Sequence, residues 1–532
     1  MRRTPRYAVA GLACALLLAG CTSDADQPGG SPSAATAPSP EDVADGYSTP
    51  VEDRVYPDVG DPGVDTLHYW LTLDWDPDSE HLDAVERVRL RATADADELR
   101  LDLAEPMQPS SVRLDGRTTW YTHDGKDLVV DAPVEADSEH TLLIRYAGRP
   151  EQVPAPVQRS DFSSTGWTVT ADGGVWTMQE PYGAYSWYAV NDQPSDKALY
   201  DVTISAPAPM VGVSNGRLVS RRTRGGDTVT RWRLDEPASS YLVTVAIGDL
   251  EMARDESPSG VPITYWTPRD QPDLARRLHR APAGMAWLED RLGPFPFDQL
   301  GFLVVDSRSG METQTMITLG DTRYATSPEV LVHEMAHHWY GDQVTPVDWR
   351  DVWMNEGMAT FLQGTWMAEH RALPAGEPFT QWAGYDTQLR STAGPPAFFD
   401  PDSFGSGNVY YIPAVMWEEL RKKLGDDLFW KLVREWPAVH DDGNADYEDI
   451  TTWWSEHSGQ DLQDFFAAWL LSPDSPRASD RLPDPAICRV LRWADPLAPA
   501  RPTGHRDGRG DPRARWLGVP VQGGRGGRAG AR

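Results

Sequence analysis

The chain has 532 residues, of which 40% are hydrophobic and 24% charged, and its formal net charge is −31. This length predicts two or three domains, and the composition allows most of the chain to bury a core. The acidic body repels phosphate backbones, so no nucleic-acid partner is expected. Only three cysteines are present, which excludes a disulfide framework and a zinc site built from thiolates. Any metal must therefore be held by histidine and carboxylate side chains.

Residues 1–21 have the pattern of a signal peptide. Three arginines within the first six residues precede an apolar run at 7–19, which is too short to span a bilayer as a mature helix. The sequence Leu-Ala-Gly-Cys at 18–21 resembles a bacterial lipobox. This resemblance implies that Cys21 is lipidated and anchors an extracytoplasmic lipoprotein to the membrane surface. Plain secretion with a coincidental cysteine is the alternative.

Residues 22–50 are rich in Ser, Pro, Ala, Gly and Asp and are predicted to form a flexible linker. Between 51 and 255 apolar residues occur in short, often alternating runs bounded by Asp, Gly and Pro, which is typical of strands. This segment is predicted to be an N-terminal antiparallel β domain. The predicted strands are Leu67–Leu73, Ala84–Ala92, Leu128–Val130, His140–Tyr146, Tyr200–Ser205 and Tyr241–Ile247.

Between 256 and 474 the pattern changes to one of helices around the apolar strand Gly301–Val305, which predicts an α/β domain. Residues 475–532 are rich in Arg, Gly and Pro, lack periodicity and are predicted to be a disordered basic tail. The predicted helices are Asp273–Arg291, Pro328–Tyr340, Asn355–His370, Pro413–Leu424, Asp426–Trp436 and Leu462–Leu471.

The segment from Ser327 to Gly341 predicts a helix that carries metal ligands, with Ser327 as its N-cap and Gly341 at its end. His333 and His337 are four residues apart, so both imidazoles project from one face and can bind a metal together. Glu334 is rotated by about 100° from His333, which places it beside the metal, where it suits a base acting on water. Two solvated histidines with a charged neighbour are the alternative, and a third ligand would decide between the two.

Glu356 is the candidate third ligand. Eighteen residues separate it from His337, which is enough for the first helix to end, a loop to pass Pro346 and a second helix to return alongside. Two histidines and one glutamate leave a fourth coordination position open, the arrangement of catalytic rather than structural zinc.

This pattern, His-Glu-x-x-His followed after eighteen residues by Asn-Glu-Gly, resembles the gluzincin zinc metallopeptidases of the aminopeptidase N family. The resemblance implies an α+β multidomain protein in which an antiparallel β domain packs on a thermolysin-like α/β catalytic domain. It also implies one zinc ion per chain, held by His333, His337 and Glu356, and peptide substrates with a free N-terminus. The family's large C-terminal helical domain is expected to be missing, which would leave a more open cleft.

The sequence Ser309-Gly310-Met311-Glu312-Thr313 resembles the family's exopeptidase motif Gly-x-Met-Glu-Asn, with Ser309 and Thr313 as departures. The resemblance implies that Glu312 binds the free α-ammonium group of the substrate, with Gly310 and Met311 beside it. This contact would leave one residue between the ammonium group and the scissile carbonyl.

Two further site predictions follow from the family resemblance. Aligning Ala414 with the family's Tyr-Glu-Lys-Gly-Ala segment makes Tyr410 the donor to the oxyanion and leaves Tyr411 as the alternative. Gln179 and Glu180 resemble the substrate-facing loop of the β domain, and spacing does not choose between them. Simple loop polarity is the alternative for this pair.

Other motifs are predicted not to be functional. The Gly-x-Ser-x-Gly sequence at 212–216 resembles a nucleophile elbow, but a strand and hairpin turn follow it instead of a helix. The 22 tryptophans lie mostly within hydrophobic periods and are expected to pack in the core. His338, His370, His440 and His457 have no partner at ligand spacing.

The sequence therefore predicts a zinc aminopeptidase in which water activated by the metal attacks the N-terminal peptide bond. Glu334 would transfer the proton to the leaving amine, and Tyr410 would stabilise the oxyanion. Three alternatives remain: an endopeptidase in which Glu312 is structural, an epoxide hydrolase on the same fold, and a catalytically inactive peptide-binding lipoprotein.

Overall fold

The computed structural model describes residues 46–159, 162–371, 373–374 and 376–476. The predicted signal peptide, Cys21 and nearly all of the basic tail lie outside these ranges. Within the described part of the chain, no helix combines the length and apolar character that crossing a bilayer requires.

The last residues of the predicted linker pack on the β domain. The Ser48 backbone N–H donates to the Asp65 carboxylate at 3.0 Å, and the Ser48 hydroxyl donates to the Lys197 carbonyl at 3.1 Å. The linker predicted for 22–50 therefore ends before position 50.

An eight-stranded sheet forms the centre of the N-terminal domain. Buried and more exposed residues alternate along His81–Ala92, as expected for strands with one face on the core. The sheet is mixed rather than wholly antiparallel, because Val64–Asp76 pairs in parallel with Lys197–Pro207. A parallel pair needs a long crossover, and the rest of the domain provides it. In sheet order the strands are Arg217–Arg224, Asp227–Ser239, Lys197–Pro207, Val64–Asp76, His81–Ala92, Glu139–Gly148, Met107–Leu114 and Arg117–Thr118.

Two smaller sheets complete this domain, one of five strands and one of three. The Gly-x-Ser-x-Gly sequence at 212–216 begins in the strand Val211–Ser214 and ends in a turn at Gly216, where φ is 75°, directly before the strand Arg217–Arg224. No nucleophile elbow is formed, as predicted. The strands of the two sheets, each in sheet order, are Val211–Ser214, Val245–Gly248, Val175–Met178, Ser164–Val169 and Val153–Pro154, then Ala96–Asp102, Asp127–Val134 and Tyr121–Asp124.

The second domain begins with its own five-stranded sheet. The boundary predicted after residue 255 falls inside the first of its strands, Leu250–Glu256. Every residue of Leu300–Val305 is buried, since this strand has parallel neighbours on both sides. In sheet order the strands are Leu250–Glu256, Pro262–Pro268, Leu300–Val305, Met316–Gly320 and Gly310–Met311.

Ten α-helices cover the described part of this domain, and several of them differ from the sequence predictions. The helix predicted for Asp273–Arg291 is two helices, and the second begins near Pro282, which favours a first turn. The helix that carries the predicted metal ligands, called the metal helix below, comprises Pro328–Ala336 and ends earlier than predicted. The helix predicted to begin at Pro413 begins at Gly407. The helices are Asp273–Leu278, Ala281–Leu292, Pro328–Ala336, Trp353–His370, Glu377–Ala383, Asp386–Ala393, Gly407–Leu424, Asp426–Val439, Tyr447–Ser458 and Gln463–Leu470.

Tryptophans form much of the hydrophobic core. Of the twelve largest fully buried side chains, ten are tryptophans, which supports packing rather than a role on the surface. In the second domain Trp417 lies 5.1 Å from Trp454 and 6.5 Å from Trp353, measured between ring centroids. These contacts join three helices, and the one that begins at Trp353 also contains the predicted ligand Glu356.

A buried lysine joins the two domains. Lys197 is 1% exposed, and its ammonium group donates to the carbonyls of Asp342, Gln343 and Gly443 at 2.9, 3.2 and 3.3 Å. Burial lowers the pKa of Lys197 to about 8. The ammonium group thereby connects the N-terminal domain to Asp342 and Gln343, which follow the metal helix, and to Gly443.

We expect Lys197→Met to reduce the free energy of unfolding by about 2 kcal/mol, because the buried Gln343 carbonyl loses its donor, while the Asp342 and Gly443 carbonyls keep only their bonds from Thr345. Thermal unfolding followed by circular dichroism measures the effect. Lys431→Met is the control, since Lys431 forms only an exposed helical ion pair with Glu435 and should change stability by about 0.5 kcal/mol or less. Equal melting temperatures for the two variants would contradict this role of Lys197.

Candidate active site

Three predicted metal ligands converge between two neighbouring helices. His333 and His337 lie at the C-terminal end of the helix Pro328–Ala336, and Glu356 lies in the first turn of the helix Trp353–His370. The two Nε2 atoms are 3.2 Å apart, and the Glu356 Oε2 lies 3.2 Å from one and 3.5 Å from the other. The metal helix ends three residues after His333, but His337 keeps helical backbone angles as its C-cap, so the spacing of one turn is retained.

These three side chains fit a zinc ion. Ligand atoms that share a tetrahedral zinc ion lie about 3.3 Å from one another, and the three separations here are 3.2–3.5 Å. The His337 Nδ1 lies 3.2 Å from the Tyr340 carbonyl, which can accept only the Nδ1 proton. The Nε2 is therefore left free to bind a metal. Burial acts to raise the pKa of Glu356, but the two neighbouring imidazoles outweigh it, so this pKa lies below its usual value.

Gly357 allows the helix Trp353–His370 to lie close to the helix Gly407–Leu424. A Cβ atom at Gly357 would lie 2.5 Å from the Pro413 Cβ. Pro413 thus lies inside the helix Gly407–Leu424, not in its first turn as predicted, and packs against the turn that carries Glu356. The glycine of the Asn-Glu-Gly sequence permits this contact.

Glu334 lies beside the metal ligands and next to the strand Gly310–Met311. A Cβ atom at Gly310 would lie 2.5 Å from the Glu334 Oε1, so only glycine leaves room for this carboxylate. Burial raises the pKa of Glu334 well above its usual value, and the nearby carboxylates of Glu312 and Glu356 raise it further.

The Glu312 carboxylate also lies close to Glu334 and to the predicted metal ligand His337. It is 3% exposed, and ligand atoms of Glu312, Glu334 and His337 all lie within 4.8 Å of one another. The Glu312 Oε1 has no hydrogen-bond partner, so it is free to accept one from a substrate. Burial raises the pKa of Glu312, and Glu356 adds to the effect while His337 opposes it.

The structure separates the two candidates in the β domain. Gln179 is fully buried, donates to the Ser240 carbonyl at 2.7 Å and accepts from the Trp187 indole at 3.0 Å. Both ends of its amide are occupied, so Gln179 is a structural residue and not a substrate contact. Glu180 lines the cavity, and its Oε1 is buried without a partner.

The two tyrosines also differ. The Tyr410 ring stacks on His333 with centroids 6.2 Å apart, whereas Tyr411 stacks on Trp382 at 5.5 Å. Burial and the charge of Glu356 raise the pKa of Tyr410 well above its usual value. Its phenol therefore stays protonated and can donate a hydrogen bond beside the metal ligands.

The site opens into a cavity of about 650 Å³. Several lining residues were not identified from the sequence because each is an isolated residue without a motif. Among them are Arg159, whose guanidinium donates to the Gly405 carbonyl at 3.3 Å, and Trp382 on a helix that was not predicted. The same cavity is lined by the predicted residues Met311, Glu312 and Tyr410 and by Arg159, Tyr324, Gln363 and Trp382.

The fold and the site together resemble those of gluzincin metallopeptidases. Two family models match the chain, the peptidase M1 N-terminal domain over residues 65–242 and the peptidase family M1 domain over residues 277–469. The chain therefore belongs to peptidase family M1, which confirms the family that the motifs indicated.

Curated relatives are similar at low identity. The chain is 25% identical to aminopeptidase N of Streptomyces lividans over 415 residues, which is 70% of this chain and 47% of that protein. It is 23% identical to aminopeptidase M1 of Arabidopsis thaliana over 343 residues, which is 58% of this chain and 38% of that protein. The chain thus spans about half or less of the length of these relatives.

Solved structures share the fold. A variant of the M1 zinc metallopeptidase of Deinococcus radiodurans, bound to a Tyr-Ser-Ala substrate, has a TM-score of 0.70 at 23% identity. The alignment covers 80% of this chain and 99% of that one. Aminopeptidase A of Legionella pneumophila, in complex with aspartic acid, has a TM-score of 0.65 at 21% identity and covers 77% of this chain and 49% of that one.

We expect Gly310→Ala to reduce turnover by about 100-fold while the fold and the metal site persist, since the new methyl group displaces the Glu334 carboxylate. Peptidase kinetics, zinc content and the melting temperature test this. Gly248→Ala is the control, because a Cβ atom there meets only Leu250 at 3.7 Å. Wild-type turnover in Gly310→Ala would show that Glu334 tolerates displacement and would contradict its assignment.

Proposed function

We propose that this protein is a zinc-dependent aminopeptidase that removes N-terminal residues from peptides. The observation that carries the proposal is the position of Glu312, whose carboxylate lies within 4.8 Å of ligand atoms of Glu334 and His337. An α-ammonium group bound to Glu312 would therefore be held close to the metal ligand His337 and to Glu334. The family relationship and the names of the relatives support the same activity.

The residues of the site divide the reaction among them. His333, His337 and Glu356 would hold one zinc ion, which acts as a Lewis acid and acidifies water. Glu334 accepts the proton of the attacking water and passes it to the leaving amine. Tyr410 donates a hydrogen bond to the developing oxyanion.

The charge of the cavity favours unblocked peptides. The carboxyl groups of Glu180, Glu312 and Glu334 face one cavity, and burial raises the pKa of each. A substrate ammonium group offsets this unfavourable burial of negative charge, whereas an acetylated N-terminus does not. An endopeptidase would not need two buried carboxyl groups in this cavity, those of Glu180 and Glu312, each with an oxygen that lacks a hydrogen-bond partner.

We further propose that the enzyme acts outside the cytoplasm, anchored through a lipidated Cys21. The support is the basic and apolar leader followed by Leu-Ala-Gly-Cys. Membrane fractionation of cells that produce the wild-type protein and Cys21→Ala tests the anchor. Equal recovery of both in the membrane fraction would contradict it.

We expect Glu334→Gln to retain one zinc ion per chain and to lose about 1000-fold in turnover, because the amide cannot accept the proton of water. Zinc analysis and single-turnover kinetics test this. Glu435→Gln, on an exposed helical face, is the control. Full turnover in Glu334→Gln, or zinc loss without a change in fold, would contradict the assignment of Glu334 as the base.

We expect Glu312→Gln to lower kcat/KM by about 100-fold on peptides with a free N-terminus, since a charge-assisted bond to the ammonium group is lost. Matched pairs of free and N-acetylated peptides measure the preference. The wild-type enzyme should cleave only the free member of each pair efficiently. Equal cleavage of both members by the wild type would favour the endopeptidase alternative.

A further inference from the structure

The loop Thr313–Thr315, directly after Glu312, is held by residues that have no assigned role. We propose that Asn215 of the N-terminal domain is a positioning residue for Glu312. It acts through this loop together with His338, which directly follows the predicted ligand His337. This inference rests on the proposed aminopeptidase function and assigns to the Gly-x-Ser-x-Gly sequence a role in fixing the length of the exopeptidase site.

Asn215 uses its whole amide to join three segments. Its Nδ2 donates to the Gln314 carbonyl at 2.6 Å and to the Leu242 carbonyl at 2.8 Å. Its Oδ1 accepts from the Thr244 backbone N–H at 2.6 Å. Asn215 is 2% exposed, so water does not compete for these bonds.

Gln314 is fixed to the N-terminal domain at two further points. Its backbone N–H donates to the Leu242 carbonyl at 3.0 Å, and its side-chain amide donates to the Pro237 carbonyl at 3.2 Å. Gln314, two positions after Glu312, is therefore held in place by the N-terminal domain. A shift of Asn215 or Leu242 would be transmitted directly to the Glu312 carboxylate.

Thr315 has a conformation that the surrounding bonds must maintain. Its φ is 61°, which is unfavourable for a β-branched residue. Its hydroxyl accepts from the Gly216 backbone N–H at 2.8 Å. A Cβ atom at Gly216 would lie 2.0 Å from the Arg233 carbonyl oxygen, so this turn requires glycine both for its positive φ and for space.

His338 holds the same loop from the catalytic side. The Thr315 backbone N–H donates to the His338 Nε2 at 3.2 Å, so this nitrogen carries no proton. The Nδ1 proton can then be donated to the Glu334 carbonyl at 3.3 Å. His338 thus connects the loop of the ammonium-binding carboxylate to the backbone of the proposed base.

These bonds fix the distance between Glu312 and the metal ligands from both domains. That distance decides whether the N-terminal peptide bond lies at the metal when the ammonium group is bound. Loosening the loop should therefore weaken binding of free N-termini and reduce the preference for them, while the three metal ligands keep their positions.

The experiment compares wild-type enzyme, Asn215→Ala, Thr315→Val and Thr315→Ser with the control Asn444→Ala. Asn444 also joins the two domains, donating to the Pro194 and Pro346 carbonyls at 3.0 and 3.3 Å, but it does not contact the loop. The probes are the best substrate from a panel of aminoacyl p-nitroanilides and its N-acetylated form. Zinc content and near-ultraviolet circular dichroism establish that each variant is folded and loaded.

Asn215→Ala and Thr315→Val should raise KM for the free substrate by about 10-fold or more, with a smaller change in kcat and a reduced preference over the acetylated form. Thr315→Ser keeps the hydroxyl and should retain wild-type values, as should Asn444→Ala. A folded, zinc-loaded Asn215→Ala with wild-type KM and preference would overturn the inference. An equal loss on both substrates would overturn it too, because that result is expected of a purely structural residue.

If Asn215→Ala does not fold, the Thr315 pair decides, and a wild-type KM in Thr315→Val overturns the inference. A wild-type enzyme that cleaves both probes equally contradicts the proposed aminopeptidase function and this inference with it. Unchanged variants of a selective wild-type enzyme contradict the inference alone.

Discussion

Negative charge buried in one cavity is the constraint on which the site depends. Glu180, Glu312, Glu334 and Glu356 all line the same space, and ionised carboxylates can be desolvated together only near positive charge. In the proposed reaction two cations of different origin would meet this need, a metal ion at Glu356 and the ammonium group of a peptide at Glu312. The proposed metal binding and the proposed preference for unblocked substrates would therefore have a common electrostatic cause.

The N-terminal domain contributes directly to this site. Glu180 supplies one wall of the cavity, and Asn215 reaches the loop behind Glu312. Lys197 fixes the segment after the metal helix through three backbone carbonyls. The β domain therefore forms part of the site, and its contacts hold the loop that follows Glu312.

The convergence of His333, His337 and Glu356 could be predicted from the sequence because much of their geometry is local. A spacing of four residues places His333 and His337 on one helical face, and the gap to Glu356 allows a second helix to return. The sequence around Gln179 and Glu180 does not show which of the two side chains faces the cavity. Neighbours in an irregular loop can face opposite directions, and only tertiary contacts show that one is buried in hydrogen bonds and the other faces the cavity.

Helix ends and isolated residues were the least predictable features. Proline favours a first turn, but packing against Gly357 places Pro413 inside a helix. Arg159 belongs to no motif, and only the folded chain brings it to the cavity. The parallel pair in the β domain likewise depends on a long crossover, which strand patterns do not reveal.

The most direct test is crystallography of the purified protein with anomalous data collected at the zinc edge. The account predicts one zinc peak per chain, within bonding distance of the His333 and His337 Nε2 atoms and the Glu356 carboxylate, and adjacent to Glu334. A Glu356 carboxylate turned away from both imidazoles, or zinc bound elsewhere with this site lacking an anomalous peak, would contradict it.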